Sequence, residues 1–356
     1  MWKQKIGVLY YLNLDSNKKK TAAFDLDNTI IVTKSNAKFP KDKDDWKFID
    51  SNIISEINTR LIDYNVVIFT NQKGLDKKSS DKVNLDSFKE KILNIIKLFN
   101  VKISVFISYQ DNFYRKPLTG MWDLLTEYIT PDLKNSFYVG DAAGRKNDFS
   151  DSDINFANNI KINFLLPEEF IQNKTIKYTS KETLHIKEWL SVKKPIIKKD
   201  PLELVLLVGF PGCGKSTFSK KYFSEYVYIN QDIDKTKEKS IKKVKEAIKE
   251  EKSIIIDNTN LSYEKRNEFI NLVNNNYKIK IIIFDIPMEV CRYMMYYRVQ
   301  TTHQEPIDII TYRTMNKKYK LDYIKEEDNP DKYYVFRINK IYTTKKELEN
   351  IILFKI

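Results

Sequence analysis

The chain has 356 residues, 42% of them apolar and 13% aromatic, which at roughly 150 residues per domain suggests two domains, each with its own core. Two Cys (Cys213, Cys291) and two His (His185, His303) are too few for a disulfide scaffold and make the chain poor in soft metal ligands, which argues against a zinc enzyme or a histidine-based hydrolase. With 61 Lys and Arg against 48 Asp and Glu, the formal charge of +13 fits a polyanionic partner such as nucleic acid, although a lysine-rich proteome produces the same excess.

The first apolar run is Ile6–Leu14. It is too short to span a bilayer and runs into Asp15 and the lysines 18–20 without a small-residue cleavage site, so it reads as a strand. No other run approaches spanning length, and the expectation is a soluble intracellular protein with no membrane partner. From Ala22 to about Pro167, compact runs rich in Val, Ile and Phe predict strands at Thr21–Leu26, Asn65–Thr70, Lys102–Ser108, Ser136–Gly140 and Lys161–Leu166. Helical spacing separates them at Ile53–Leu61 and Phe88–Phe99. Such alternation predicts an α/β domain with a parallel sheet and right-handed crossovers.

Phe24-Asp25-Leu26-Asp27-Asn28-Thr29 puts two carboxylates at the carboxyl end of a predicted strand, where open α/β sheets place their ligands. One of them can attack phosphorus as a nucleophile, while the other protonates the leaving oxygen and later activates water. Two acids facing a phosphate dianion require a hard cation and a lysine nearby. Thr70-Asn71-Gln72 ends another strand with groups that hydrogen-bond phosphate oxygens, Lys116 supplies a cation, and Gly140-Asp141 adds a carboxylate for Mg²⁺. An isolated Asp-x-Asp commonly caps a turn. Four strand-end signals in order point to chemistry instead.

These segments resemble the haloacid dehalogenase-type phosphatases, and more narrowly the phosphatase domain of the polynucleotide kinase 3′-phosphatase family. The narrower likeness rests on Phe24–Thr29, Thr70-Asn-Gln-Lys-Gly74, Tyr114-Arg-Lys-Pro-Leu-Thr-Gly-Met-Trp122, Gly140-Asp-Ala-Ala-Gly-Arg145 and the acidic run Asp148-Phe-Ser-Asp-Ser-Asp153. The resemblance implies Asp25 as the nucleophile that becomes an aspartyl-phosphate, Asp27 as general acid and base, and Lys116 as charge stabiliser. It also implies Mg²⁺ held by Asp25, the Asp27 carbonyl and Asp141. Asp148, Asp151 and Asp153 stand unranked as supports for the metal or for Lys116.

Lys193-Lys194-Pro195 and Lys198-Lys199-Asp200-Pro201 place two prolines and four lysines around Ile196-Ile197, which predicts a linker over 193–201 between domains at 1–192 and 202–356. Beyond it, predicted strands at Leu204–Val208, Tyr226–Ile229, Ser253–Ile256 and Ile279–Asp285 alternate with helices from Lys215 and over Lys237–Lys249, Glu289–Arg298 and Ile307–Tyr319. Gly209-Phe-Pro-Gly-Cys-Gly-Lys-Ser-Thr217 lies between the first of these strands and a helix, the context of a phosphate-binding loop. Gly209, Gly212 and Gly214 let successive N–H groups face the ATP phosphates. Lys215 would bridge the β- and γ-phosphates and Ser216 would ligate Mg²⁺, with Thr217 closing the motif and Cys213 as filler.

Asp232 sits at a strand end where a carboxylate can take a proton from an incoming hydroxyl, and Asp257 competes for that role or for Mg²⁺. Arg292 and Arg298, about two helical turns apart, either close over the nucleotide or make surface ion pairs. The loop, Asp257-Asn-Thr-Asn260 and Cys291-Arg-x₄-Tyr-Arg298 resemble the kinase domain of the same family, which implies Asp232 as general base and Arg298 as lid arginine. Gln231 departs from the arginine that relatives tend to carry there, and Lys235 is a candidate substitute.

The resemblance implies two parallel-sheet α/β domains, phosphatase then kinase, without the N-terminal phosphopeptide-binding module of longer members. The expected protein is a monomeric enzyme of the nucleus or cytoplasm that uses Mg²⁺ and ATP to remove 3′-phosphates from DNA ends and phosphorylate their 5′-hydroxyls. RNA-end repair, a small-metabolite kinase/phosphatase and a scaffold with inactive sites are the alternatives.

Overall fold

The computed structural model describes residues 1–76, 84–179, 184–193, 195–318 and 324–356. It divides into two compact units, one of Met1–Thr183 with Arg298–Pro306 and Leu353–Ile356, the other of Leu184–Tyr297 with Ile307–Ile352. The expected linker at 193–201 falls within the second unit. There the chain is tied down, since Lys280 Nζ donates to the Lys198 carbonyl at 2.6 Å and the Asp200 N–H donates to Glu203. Lys194 of that linker, and Tyr319 at the end of an expected helix, lie outside the described residues.

The first unit contains strands β1 (Trp2–Lys5), β2 (Val8–Tyr11), β3 (Lys20–Phe24), β4 (Ile31–Val32), β5 (Lys47–Phe48), β6 (Tyr64–Asn71), β7 (Ile103–Ser108), β8 (Phe137–Val139) and β9 (Asn163–Leu165). Its helices are α1 (Ile53–Arg60), α2 (Leu85–Ile96), α3 (Gly120–Thr126), α4 (Ser152–Ile160) and α5 (Pro167–Gln172). Seven strands form one sheet in the order β1-β2-β7-β6-β3-β8-β9, parallel except where β2 pairs with β1 and β7, while β4 and β5 make a small ribbon. The expected single strand Ile6–Leu14 is instead the second arm of a hairpin. Ile6 is exposed and sits in the turn, so only Val8–Tyr11 gains a buried face.

Side chains alternate along β3 and β6 as the two-residue repeat requires. Ala22, Phe24, Val66 and Ile68 enter one core layer with Ile92 and Ile95 of α2, while Ala23, Val67 and Phe69 enter the other with Trp122 and Phe156. Each buried Phe of this kind contributes about 2 kcal/mol. The two layers hold the carboxyl ends of β3, β6 and β8 in register: Phe24 stands opposite both Ile68 and Val139.

In the second unit, β10 (Leu190–Ser191) and β16 (Ile341–Tyr342) form a parallel ribbon. The main sheet is wholly parallel in the order β12-β13-β11-β14-β15, from β11 (Glu203–Val208), β12 (Val227–Ile229), β13 (Ile254–Ile256), β14 (Lys278–Phe284) and β15 (Tyr333–Ile338). Helices α6 (Lys215–Tyr222), α7 (Gln231–Asp234), α8 (Lys237–Lys249), α9 (Tyr263–Ile270), α10 (Met288–Thr302), α11 (Ile309–Lys318) and α12 (Lys345–Leu353) follow. Strand β15 is absent from the sequence expectation. It is an edge strand with Tyr334 exposed, so its residues lack the continuous apolar run that marks β11 and β14. No helix among the described residues is long and apolar enough to cross a membrane.

Candidate active sites

In the first unit the backbone carries Asp25 past the end of β3, where its N–H donates to the Val139 carbonyl of β8 at 2.9 Å. The chain then turns tightly. Asn28 takes a left-handed φ of +56°, and the Leu26 carbonyl accepts the N–H groups of Ile30 and Ile31 at 2.9 and 3.0 Å. Asp25 and Asp27 are thereby held at the carboxyl edge of the sheet.

Lys116 enters from the loop before α3. Its Nζ donates to Asp25 Oδ1 at 2.6 Å, Asp153 Oδ1 at 2.7 Å and Tyr138 Oη at 2.7 Å. Tyr138 Oη in turn donates to Asp153 Oδ1 at 3.0 Å. All four side chains are buried. Burial works against the Lys116 charge, but Asp153 and Asp25 outweigh it and hold the ammonium above its usual pKa. Burial likewise pushes the Asp25 carboxyl well above the usual carboxylate range, with Lys116 pulling against it and Asp153, Asp141 and Asp27 adding repulsion. The Asp141 carboxyl is pushed up to about 7, first by burial and then by Asp153, with Lys116 opposing.

Carboxylate oxygens of Asp25, Asp141 and Asp153 all lie within 4.8 Å of one another. Three hard oxygen donors carrying more negative charge than one lysine offsets fit a Mg²⁺-type ion. Asp153 is the most committed of the three, because its second oxygen also accepts the Ala142 N–H at 3.1 Å. Gly140 makes that approach possible: a Cβ there would lie 2.6 Å from the Asp153 carboxyl.

The three acids that the sequence left unranked separate in space. Asp153 meets Lys116. Asp148 shapes the loop before it, accepting the N–H groups of Ala143 and Arg145 at 3.1 and 3.0 Å and the Arg145 Nε at 2.9 Å. Burial alone would raise its pKa, but these Arg145 and backbone contacts lower it. Asp151 occupies the N-cap position of α4, the helix that carries Asp153.

Thr70 is buried at the end of β6, and its hydroxyl accepts Gln72 Nε2 at 2.9 Å. The same Gln72 amide donates to Asp27 Oδ2 at 2.5 Å and so orients that carboxyl. Asn71, expected among the phosphate-binding groups, spends its side chain on the Lys116 backbone, with Nδ2 to the carbonyl at 3.1 Å and Oδ1 from the N–H at 3.0 Å. Sequence reasoning missed Tyr138 altogether. A tyrosine inside a buried strand reads as core, and only its contact with Lys116 distinguishes it.

In the second unit the loop between β11 and α6 wraps Lys215 inward, with Nζ donating to the Gly209 and Phe210 carbonyls at 2.9 Å each and to Cys213 Sγ at 3.6 Å. Gly212 has φ +85°, and a Cβ there would lie 2.2 Å from the Cys291 carbonyl of α10. Cys213 is fully buried. Burial would raise its pKa, but a hydrogen bond with Cys291 and the Lys215 charge bring it down to about 7.

Asp257 is buried after β13, with its N–H bonded to the Ile229 carbonyl at 2.8 Å and its Oδ2 accepting Tyr228 Oη at 2.5 Å. Burial and that bond push the Tyr228 hydroxyl up, while contacts from Ser216 and Asn230 oppose the shift. Tyr228 thus holds the Asp257 carboxylate at the end of β13. Asp232 lies exposed in the first turn of α7, its N–H capped by Asn230 Oδ1 at 3.0 Å. Lys235 follows that helix with φ +70° and is exposed. Arg292 is half-buried and Arg298 exposed, both on α10. The second unit thus buries Lys215 in the loop after β11 and Asp257 after β13, the latter bonded to Tyr228.

Residues 20–171 match the family model described as polynucleotide kinase 3 phosphatase, and residues 204–321 match one described as an AAA domain. The polynucleotide 3′-phosphatase of Saccharomyces cerevisiae is 32% identical over 214 residues, which covers 44% of this chain and 88% of that protein. The bifunctional polynucleotide phosphatase/kinase of Schizosaccharomyces pombe is 35% identical over 319 residues, covering 86% of this chain and 78% of that protein. Because that likeness runs through both units, the chain belongs to the bifunctional polynucleotide phosphatase/kinase family.

Proposed function

We propose that this chain heals polynucleotide ends, its first unit hydrolysing 3′-phosphates and its second transferring the ATP γ-phosphate to 5′-hydroxyls. The observation that carries the reading is the buried Lys116 bonded to both Asp25 and Asp153, with Asp141 beside them. A carboxylate held beside a fixed ammonium, with a cation-fitting oxygen set next to them, is what phosphoryl transfer to an aspartate requires.

Asp25 attacks phosphorus and the bond to the 3′-oxygen breaks, while Asp27 gives that oxygen a proton. Water then attacks the aspartyl-phosphate, Asp27 takes the water's proton, and inorganic phosphate leaves. Gln72 keeps the Asp27 carboxyl aimed through its 2.5 Å bond. Lys116 offsets charge on the phosphoryl oxygens. Mg²⁺ held by Asp25 and Asp141 would lower the repulsion between carboxylate and phosphate dianion. In the second unit Asp232 takes the proton of the attacking 5′-hydroxyl, Lys215 neutralises the phosphates, and Ser216 with Asp257 would hold the Mg²⁺ of MgATP.

The surface of the first unit supports a strand as substrate. Phe39 and Phe149 are exposed, and Lys38 Nζ lies 5.7 and 5.0 Å from their ring centroids. Exposed rings joined to cations suit unstacked bases and their backbone. An end-group assay on DNA and RNA oligonucleotides with a 3′-phosphate and a 5′-hydroxyl tests the proposal and ranks the two polymers. Asp25→Ala is expected to abolish only phosphate release, and Lys215→Ala only 5′-phosphorylation. Loss of both activities through either change contradicts the two-site reading.

A further inference from the structure

Helix α2 buries Phe88, Lys91, Ile92 and Ile95, the i, i+3, i+4, i+7 stripe of a core-facing helix. The three apolar members pack in the layer that also holds Leu26, Ile30 and Ile31 from the turn after β3, with Trp46 and Phe48 against it. Lys91 fills the fourth position at 3% exposure. Its ammonium lies 5.6 Å from the Phe88 ring centroid and has no hydrogen-bond or ion-pair partner among the described residues. Buried lysines are ordinarily paired, because an ammonium removed from water without a counter-charge is costly.

The acids around Lys91 are already engaged. Burial holds its pKa below the ordinary value, and the Asp27 and Asp45 carboxylates oppose that through space. Asp45 accepts the Ser35 N–H at 2.8 Å, the Ser35 hydroxyl at 2.6 Å and the Lys41 N–H at 2.9 Å. Asp27 accepts Gln72. The same loop sends Lys43 to Glu90 of α2, a pair on the exposed rim. Lys91 is thus a cation without a hydrogen-bonded partner among the described residues, on a helix whose apolar stripe packs in the layer of Leu26 and Ile30, the residues on either side of the Asp27 turn.

The side matters chemically. Asp25 attacks phosphorus and Asp27 protonates the leaving 3′-oxygen, so the nucleoside lies toward Asp27. The next negative group along a strand is the phosphodiester between the last two nucleotides. We propose that Lys91 binds this terminal phosphodiester and thereby separates a strand end from a small phosphate ester, which has no second anion there. The inference rests on the phosphatase reading of the first unit.

Replacing that one phosphodiester of a 3′-phosphorylated oligonucleotide by an uncharged methylphosphonate tests it directly. The wild-type KM is expected to rise about tenfold, the size of a lost charged hydrogen bond. In Lys91→Met the natural oligonucleotide is expected to show the raised KM already, with no further penalty from the methylphosphonate, while Lys91→Arg keeps the penalty. A wild-type enzyme indifferent to the methylphosphonate overturns the proposal without recourse to any variant, and so does an equal penalty in Lys91→Met. Failure of the wild type to release phosphate from the natural oligonucleotide would instead refute the phosphatase reading.

Discussion

Asn71 grips Lys116 at both ends of the residue: its Oδ1 accepts the Lys116 N–H at 3.0 Å and its Nδ2 donates to the Lys116 carbonyl at 3.1 Å. Two more contacts restrain the neighbourhood, since Asn159 of α4 donates to the Pro117 carbonyl at 2.9 Å and Tyr138 bonds Lys116 Nζ. The lysine backbone is therefore fixed before its ammonium reaches the carboxylates.

Loosening this grip costs rate rather than affinity. Asn71→Ala is expected to lower phosphatase kcat by about 100-fold, the effect of a misplacement of roughly 1 Å, with a smaller change in KM and normal kinase activity. Steady-state kinetics on a 3′-phosphorylated oligonucleotide provide the check. A large KM rise at unchanged kcat would show that Asn71 contacts the substrate phosphate instead.

Clustered carboxylates make the metal-free first unit sensitive to alkali. A carboxyl whose folded pKa is raised binds its proton more tightly folded than unfolded, so its contribution is full at low pH and is lost as pH rises. For Asp141 that window runs from the unfolded value of about 3.9 to about 7. With chelator present, the melting temperature of this unit is expected to fall from about pH 4 to about pH 7. Asp141→Asn should flatten the fall and Mg²⁺ should reverse it. A melting temperature that rises over this range would contradict the assignment.

Tyr228→Phe removes the hydroxyl that donates to Asp257 while leaving the ring in place. The expected result is a kinase kcat lowered about tenfold, with more Mg²⁺ needed for half-maximal rate and no change in phosphatase activity. An unchanged Mg²⁺ requirement would detach Tyr228 from the metal-binding side of the loop.

Gly212→Ala probes the tightest approach in the phosphate-binding loop. The added methyl would meet the Cys291 carbonyl at 2.2 Å in a left-handed backbone, a conflict that no side-chain rotation relieves. Destabilisation of the second unit by about 2 kcal/mol and loss of ATP binding are expected, measurable by thermal melts and nucleotide titration. Full ATP affinity would mean that α10 yields to the methyl.

The local chemistry of this chain was open to sequence reading. Compact runs such as Asn65–Thr70 and Leu204–Val208 are apolar because parallel strands are covered on both faces, and the signals at Asp25, Gly140-Asp141 and Gly209–Thr217 stand where such strands end. Short-range rules reach that far. They do not reach β15, which the sheet edge recruits, or the turn at Ile6 that takes the first residues of the expected first strand.

What tertiary structure alone decided is which side chains meet. Asp148, Asp151 and Asp153 lie within six residues and share one chemistry, yet the start of α4 turns only Asp153 to Lys116. Tyr138 and Lys91 occupy positions where periodicity demands core, and nothing in the residue order says that one bonds a lysine and the other has no hydrogen-bond or ion-pair partner among the described residues. Periodicity reports which face a residue takes. The distance between charges on different elements is set by how those elements pack, and in a buried site that distance determines the pKa values and hence the chemistry.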